Sequence, residues 1–232
     1  MRQRGSSTNL VLLTAALVLM VAALYLVFMW VPTALDTAGD PDIAQRIFYF
    51  HVPSAWVAFL SFFIVFVFSI LYLVKKQARW DTVAYSAAEI GVLFTSIALV
   101  SGSIWARSAW GAWWVWDGRL TTTLVLWLIY MGYLMVRAYS QATQARSFAA
   151  VVGIVGFIDV PIVFMAIQWW RTQHPEPVVR SGGLDPSMLY TLLVSLAAFT
   201  VFYVLLLRMR TTQRRMEAEA EMLRAELEMR RR

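Results

Sequence analysis

Six apolar runs, at about residues 10–31, 54–74, 83–104, 120–136, 148–169 and 187–207, dominate this chain of 232 residues. The first is typical: 22 residues at a helical rise of ~1.5 Å cover about 33 Å, enough for a hydrocarbon core of roughly 30 Å. Inside hydrocarbon every backbone polar group must be satisfied within the protein, which leaves only helices or a closed barrel. A barrel needs short segments of alternating hydrophobicity, and these runs do not alternate. The sequence therefore predicts an all-α membrane protein, a bundle of six transmembrane helices. Arg2 and Arg4 before the first run resemble the start of a signal peptide, but the run exceeds a signal's apolar core and is read as a retained first helix.

Charge between the runs orients the bundle. Of 20 Lys and Arg, 15 fall in the N-terminal tail, the second loop (Lys75, Lys76, Arg79), the fourth loop (Arg137, Arg146) and the C-terminal tail. The remaining five are Arg46, Arg107, Arg119, Arg171 and Arg180, in the first, third and fifth loops. Positive charge favours the cytoplasmic side, so both termini are expected in the cytoplasm and these three loops outside. The net charge of +6 thus reflects membrane topology rather than affinity for nucleic acid. Two units follow: a membrane domain over 1–210 and a charged cytoplasmic helical tail over 211–232. In the tail Met209, Met216 and Leu223 recur every seven residues, with Ala220 and Leu227 beside them and Glu226–Arg230 and Glu228–Arg232 as i,i+4 pairs. Barely two heptads suit a solvated helical extension better than a coiled coil.

The outward face collects the unusual residues. Trp105, Trp110, Trp113, Trp114 and Trp116 lie within twelve positions, five of the eleven tryptophans in the chain. Indole is large, flat and apolar with one N–H donor, so such a cluster covers a surface, buries a planar ligand or forms an interfacial belt. If Trp110–Asp117 is helical, Trp110, Trp113, Trp114 and Asp117 share a face and Trp116 points elsewhere. The only histidines, His51 and His174, also fall at outward helix ends. One such His is usually a hydrogen-bonded interfacial residue; two on one face suggest an axial pair for haem iron. Pro53 and Pro175 follow them closely, which places each imidazole near a constrained helix boundary.

A porphyrin needs a flat apolar wall, two axial donors and cations for its propionates. The tryptophans offer the wall, His51 and His174 the donors, and Arg46, Arg107, Arg119 and Arg171 the cations, although snorkelling accounts equally for interfacial arginines. Asp117 would repel propionates and is expected to orient an Arg or accept an indole N–H. Two acids lie within the spans: Glu89, near enough to the cytoplasmic end to snorkel or pair, and Asp159, two residues before Pro161. The chain has no cysteine, which excludes disulfides, thiolate metal sites and thiol exchange, and no Gly-x-x-x-x-Gly-Lys nucleotide loop.

The run GSIWARSAWGAWWVWDGRLTT, residues 102–122 and overlapping the loop spanning 105–123, resembles the WWD signature of haem-handling membrane proteins. Together with RIFYFHVP before the second run and QWWRTQHP after the fifth, it is similar to the six-helix branch of that family, haem exporter protein C (CcmC), over residues 10–207. The resemblance implies that haem b is bound as a transferred substrate at the outer face of a bacterial inner membrane, with His51 and His174 as axial ligands of its iron. It implies delivery to a periplasmic haem chaperone, CcmE, and association with the ABC transporter subunits CcmA and CcmB and the single-span protein CcmD. The charged tail departs from the family pattern. A cytochrome c synthase of the same signature is larger and carries more histidines; a cytochrome b holds haem between histidines within its helices. A transporter without haem is weakened by the absence of internal repeats, though Asp159 suits it.

Topology is directly testable. Reporter fusions near residues 40, 110 and 178 are expected to read outside and those near 78 and 142 inside; a cytoplasmic signal from the Trp-rich loop would break up the shared outward face.

Overall fold

Every apolar run becomes a helical span, and the ends of those spans are set by residues that stop a helix. The structure, a computed structural model, describes residues 2–35, 39–139, 143–170, 173–174 and 184–231. Helix α1 (Arg2–Tyr25) continues through a π-helical turn, Leu26–Trp30. A two-residue antiparallel pairing follows, Ala34–Leu35 against Pro41–Asp42, and then a 3-10 turn, Ile43–Ile47. That turn leads into α2 (Phe48–Lys75), α3 (Ala78–Trp110), α4 (Gly118–Tyr139), α5 (Thr143–Gly156), α6 (Asp159–Trp169) and α7 (Pro186–Arg231). Among the described residues six helical stretches are long and apolar enough to cross a membrane.

Two expectations about helix boundaries change. The fifth run is not one helix but two, α5 and α6. Pro161 has no N–H for the Phe157 carbonyl, and the chain turns there instead: Ile158 N–H donates to Val155 O and Val160 N–H to Phe157 O, both at 3.1 Å. Pro53, by contrast, lies inside α2 and does not mark its start. The preceding 3-10 turn has already set the chain on a helical course, so His51 sits within the first turns of α2 rather than at a proline-defined boundary.

α2 and α3 form the most extensive helix pair, and α4, α5 and α7 pack around them. At their centre Phe62 stacks on Tyr130 at 3.8 Å with the rings 13° apart, and the Tyr130 hydroxyl donates to the Gly153 carbonyl at 3.0 Å. Lipid tails are as apolar as these side chains, so dispersion and such interhelical hydrogen bonds hold the bundle more than hydrophobic burial does.

The end opposite the Trp-rich loop is a polar lattice built on one stripe of α3. Asp81, Tyr85 and Glu89 recur every four residues and so share a face. Asp81 accepts from Arg137 at 2.8 Å, both nearly inaccessible, with Arg146 at 3.8 Å. Glu89 accepts from Arg210 and Arg214 through both oxygens, at 2.6–3.2 Å. Tyr85 lies between, with the Arg137 guanidinium 4.7 Å and that of Arg214 3.4 Å from its ring centroid. Glu89 is thus paired, one of the two outcomes read from its position. Arg137, counted from sequence as a loop charge, is instead buried. α7 runs unbroken across residue 210, and its docking reaches Arg214 before the helix becomes fully exposed.

Replacing Glu89 with Gln removes the charge from these hydrogen bonds, each worth about 1.5–3 kcal/mol when charge-assisted. Hydrogen exchange across 208–216 is expected to quicken by roughly tenfold or more, since ~1.4 kcal/mol is a factor of ten, while exchange in α2 stays unchanged. Unaltered protection there would mean that the two arginines do not hold α7 in place.

Candidate functional site

The site is shaped by where α3 stops. Gly111 adopts a left-handed conformation, φ 74°, and its N–H donates to the Arg107 carbonyl at 3.2 Å, a glycine-terminated helix end. Arg107 in turn donates to the Gly111 carbonyl, and Ser103 Oγ donates to the carbonyl of Trp113 at 2.7 Å, which folds the departing strand back over the helix. Residues 112–117 are not helical. The helical face expected for Trp110–Asp117 therefore does not form, because Gly111 ends the helix one residue after Trp110. Asp117 then starts α4: its Oδ1 accepts the Leu120 N–H at 2.8 Å. Behind it Gly118 lies so close to Trp170 that a Cβ there would come within 2.9 Å of the indole, which ties the end of α6 to the start of α4.

This non-helical path sorts the tryptophans. Trp105, Trp110 and Trp114 line a cavity of about 1020 Å³, open mouth included, while Trp113 and Trp116 are 59% and 76% exposed. Trp114 and Trp116 still touch edge to face at 5.6 Å, so the inward and outward rings are in contact. The Trp114 indole N–H is buried without an acceptor.

Both histidines line the same cavity, His51 from α2 and His174 from the segment between α6 and α7. His51 packs against α3, its Nδ1 3.1 Å from Ser101 Oγ and its ring edge-on to Trp105 at 6.1 Å. It lies within electrostatic reach of both His174 and Arg119.

Of the four arginines named from sequence, Arg119 alone lines the cavity among the described residues. Arg46 turns to the end of α1, donating to the Phe28 carbonyl at 3.5 Å and Thr33 Oγ1 at 3.4 Å, and Arg107 holds the loop as described. Arg171 lies outside the described residues. Sequence reasoning passed over Asp42, Ser101 and Gly102, all lining the cavity or touching His51. A signal existed for each kind: Asp42 precedes a helical turn and caps it through Gln45 N–H, and the small run Ser-Gly-Ser on α3 invites a neighbouring ring.

The donor set suits a metal that arrives with most of its own ligands. Among the described residues no three His or carboxylate side chains gather to hold a bare ion, whereas two imidazoles face a flat aromatic enclosure with one guanidinium. Over residues 3–226 the chain matches the family model for heme exporter protein C. The chain belongs to the haem exporter protein C family. It is 36% identical over 210 residues to heme exporter protein C of Bradyrhizobium diazoefficiens, covering 87% of this chain and 80% of that one. The corresponding protein of Escherichia coli K12 is 33% identical over 168 residues, 72% of this chain and 69% of the relative. A putative cytochrome c biosynthesis ccmC-like mitochondrial protein of Arabidopsis thaliana is 32% identical over 203 residues, 87% of this chain and 76% of its own length. Haem exporter protein C membership and the six spans make this a multi-pass membrane protein of haem handling in cytochrome c maturation.

Asp117 gives a test of how the loop is held. Asp117→Ala is expected to cost about 1 kcal/mol of stability through the lost cap, and Asp117→Asn to recover most of it, because both Asp and Asn cap well. Thermal unfolding in detergent reads this; an Asn variant as weak as the Ala variant would show that charge, not capping, is what Asp117 supplies.

Proposed function

We propose that the cavity binds haem b as a substrate in transit, with His51 and His174 as the two axial donors of its iron, and presents it at the periplasmic face of a bacterial inner membrane. The observation that carries this reading is that the only two histidines of the chain line one aromatic cavity. Neutral imidazole is a suitable axial donor, and burial of a macrocycle against Trp105, Trp110 and Trp114 contributes at roughly 25 cal/mol per Å² of apolar surface removed from water.

Arg119 is placed to pair with a propionate, and the buried Trp114 N–H supplies a donor for a carboxylate oxygen or other acceptor on the ligand. Arg46 and Arg107 serve the frame of the site in this reading, and Arg171 is the remaining cation for the second propionate. Trp113 and Trp116 face outward beside the cavity, where exposed aromatics suit the docking of a protein that collects the haem. That protein is the periplasmic chaperone CcmE, and CcmA, CcmB and CcmD form the transporter complex in which the chain works. The chain acts as a binding and transfer component rather than an enzyme. A synthase reading has less support, because it calls for further histidines within the membrane and this chain has two in all.

The test is the visible spectrum of the protein purified after haem-replete expression. His51→Ala and His174→Ala are each expected to alter the Soret and α/β bands and weaken haem retention, the double variant to lose stable ligation, and added imidazole to restore the single variants in part. Trp114→Ala is expected to loosen haem while leaving the ligation signature recognisable. If neither His variant changes the spectrum of bound haem, the axial assignment is wrong.

A further inference from the structure

His51 is held on its α3 side by more than one contact. Its Nδ1 lies 3.1 Å from Ser101 Oγ, and its ring stands edge-on to Trp105 of the same helix. Ser101 Oγ itself donates to Ala98 O at 3.3 Å. The serine proton is therefore directed at the carbonyl, and its lone pairs face the imidazole. A carbonyl can only accept. With its own proton on the Ala98 carbonyl, Ser101 Oγ accepts a proton from the ring, at Nδ1, 3.1 Å away.

Gly102 completes the seat. A Cβ built there would stand 2.9 Å from His51 Cε1, 3.4 Å from Nδ1 and 3.9 Å from Nε2. The ring rests against the bare backbone of α3, and any side chain at 102 would displace it. Trp105, one turn further along the same helix, backs the imidazole edge and lines the cavity. Seat, hydrogen-bond partner and wall thus come from one continuous helix.

We infer that Ser101 is the positioning residue for His51, holding its Nδ1–H so that Nε2 carries the free lone pair presented to the iron of a metalloporphyrin, on a seat that only Gly102 leaves open. This rests on the axial role proposed for His51. An acceptor on the far nitrogen fixes the tautomer and makes the ligating nitrogen a stronger donor, which stabilises the oxidised metal.

The test uses the full-length, haem-loaded protein and reads the reduction midpoint and the low-spin bands of its spectrum. Ser101→Ala is expected to raise the midpoint, shift the spectrum towards high spin and weaken haem retention by at least about tenfold, the lower end for such second-layer partners. Ser101→Thr keeps the hydroxyl and is expected to return the midpoint towards wild type, which a loss of packing alone would not produce. Gly102→Ala leaves Ser101 intact but pushes the ring, and is expected to weaken the low-spin bands; it decides the matter should Ser101→Ala fail to accumulate. If His51→Ala changes the spectrum while Ser101→Ala and Gly102→Ala keep the wild-type midpoint and bands, the positioning role is overturned and the axial reading stands. If His51→Ala itself leaves the spectrum unchanged, the axial reading falls, and this inference with it.

Discussion

The close packing of α2 on α3 is the contact on which the remainder of the molecule depends. α3 is 33 residues long, and its two ends do different work. At one end its Asp81, Tyr85 and Glu89 gather arginines from α4, the start of α5 and α7. At the other its Ser101, Gly102, Trp105 and Trp110 seat His51 and line the cavity. Because α2 lies along this helix, the position of His51 is set by the register of the pair, with Phe62 and Tyr130 filling the middle. A buried ion pair such as Asp81–Arg137, between α3 and α4, is costly to break from one side, by about 3–5 kcal/mol, so it penalises a slip of α4 along α3 more than it adds net stability.

The division between wall and mouth follows from a single backbone choice at Gly111. Had the helix run on, the tryptophans would have been dealt out by a 3.6-residue period, with three on one side. Leaving the helix instead turns Trp114 inward and Trp113 and Trp116 outward. One short segment thereby serves both the enclosed ligand and the exposed surface next to it.

Most of the fold was legible from the sequence because bilayer crossing is a strong and simple demand: length and apolarity alone marked all six spans. What was not legible were events decided by single hydrogen bonds. The break at Phe157–Ile158 depends on how the chain re-pairs its carbonyls around Pro161, and Pro53 shows that a proline need not end a helix that is already under way. At the site, residue type pointed to His51, His174, Trp105, Trp110, Trp114 and Arg119, which do meet. Ser101, Gly102 and Asp42 were passed over because their signals, a small-residue run on α3 and an acid before a helical turn, speak of packing and capping and point to the site only once the neighbour they contact is known. The arginines were over-counted for the converse reason: Arg46 and Arg107 satisfy backbone carbonyls, an occupation that leaves no trace in composition.

The interrupted fifth span has a mechanical consequence. α5 packs on both α2 and α4, and α6 on α4, with little contact between α5 and α6 themselves. The two half-helices therefore share α4 while α5 alone also reaches α2, and the turn at Phe157–Ile158 joins them with little packing of its own. A push delivered near Trp170, where α6 bears on Gly118, is passed sideways into α4 and the Trp-bearing loop before it can travel down the span. The aromatic rim is thus sprung from α4 and α6, while the imidazole on α2 stays clamped to α3.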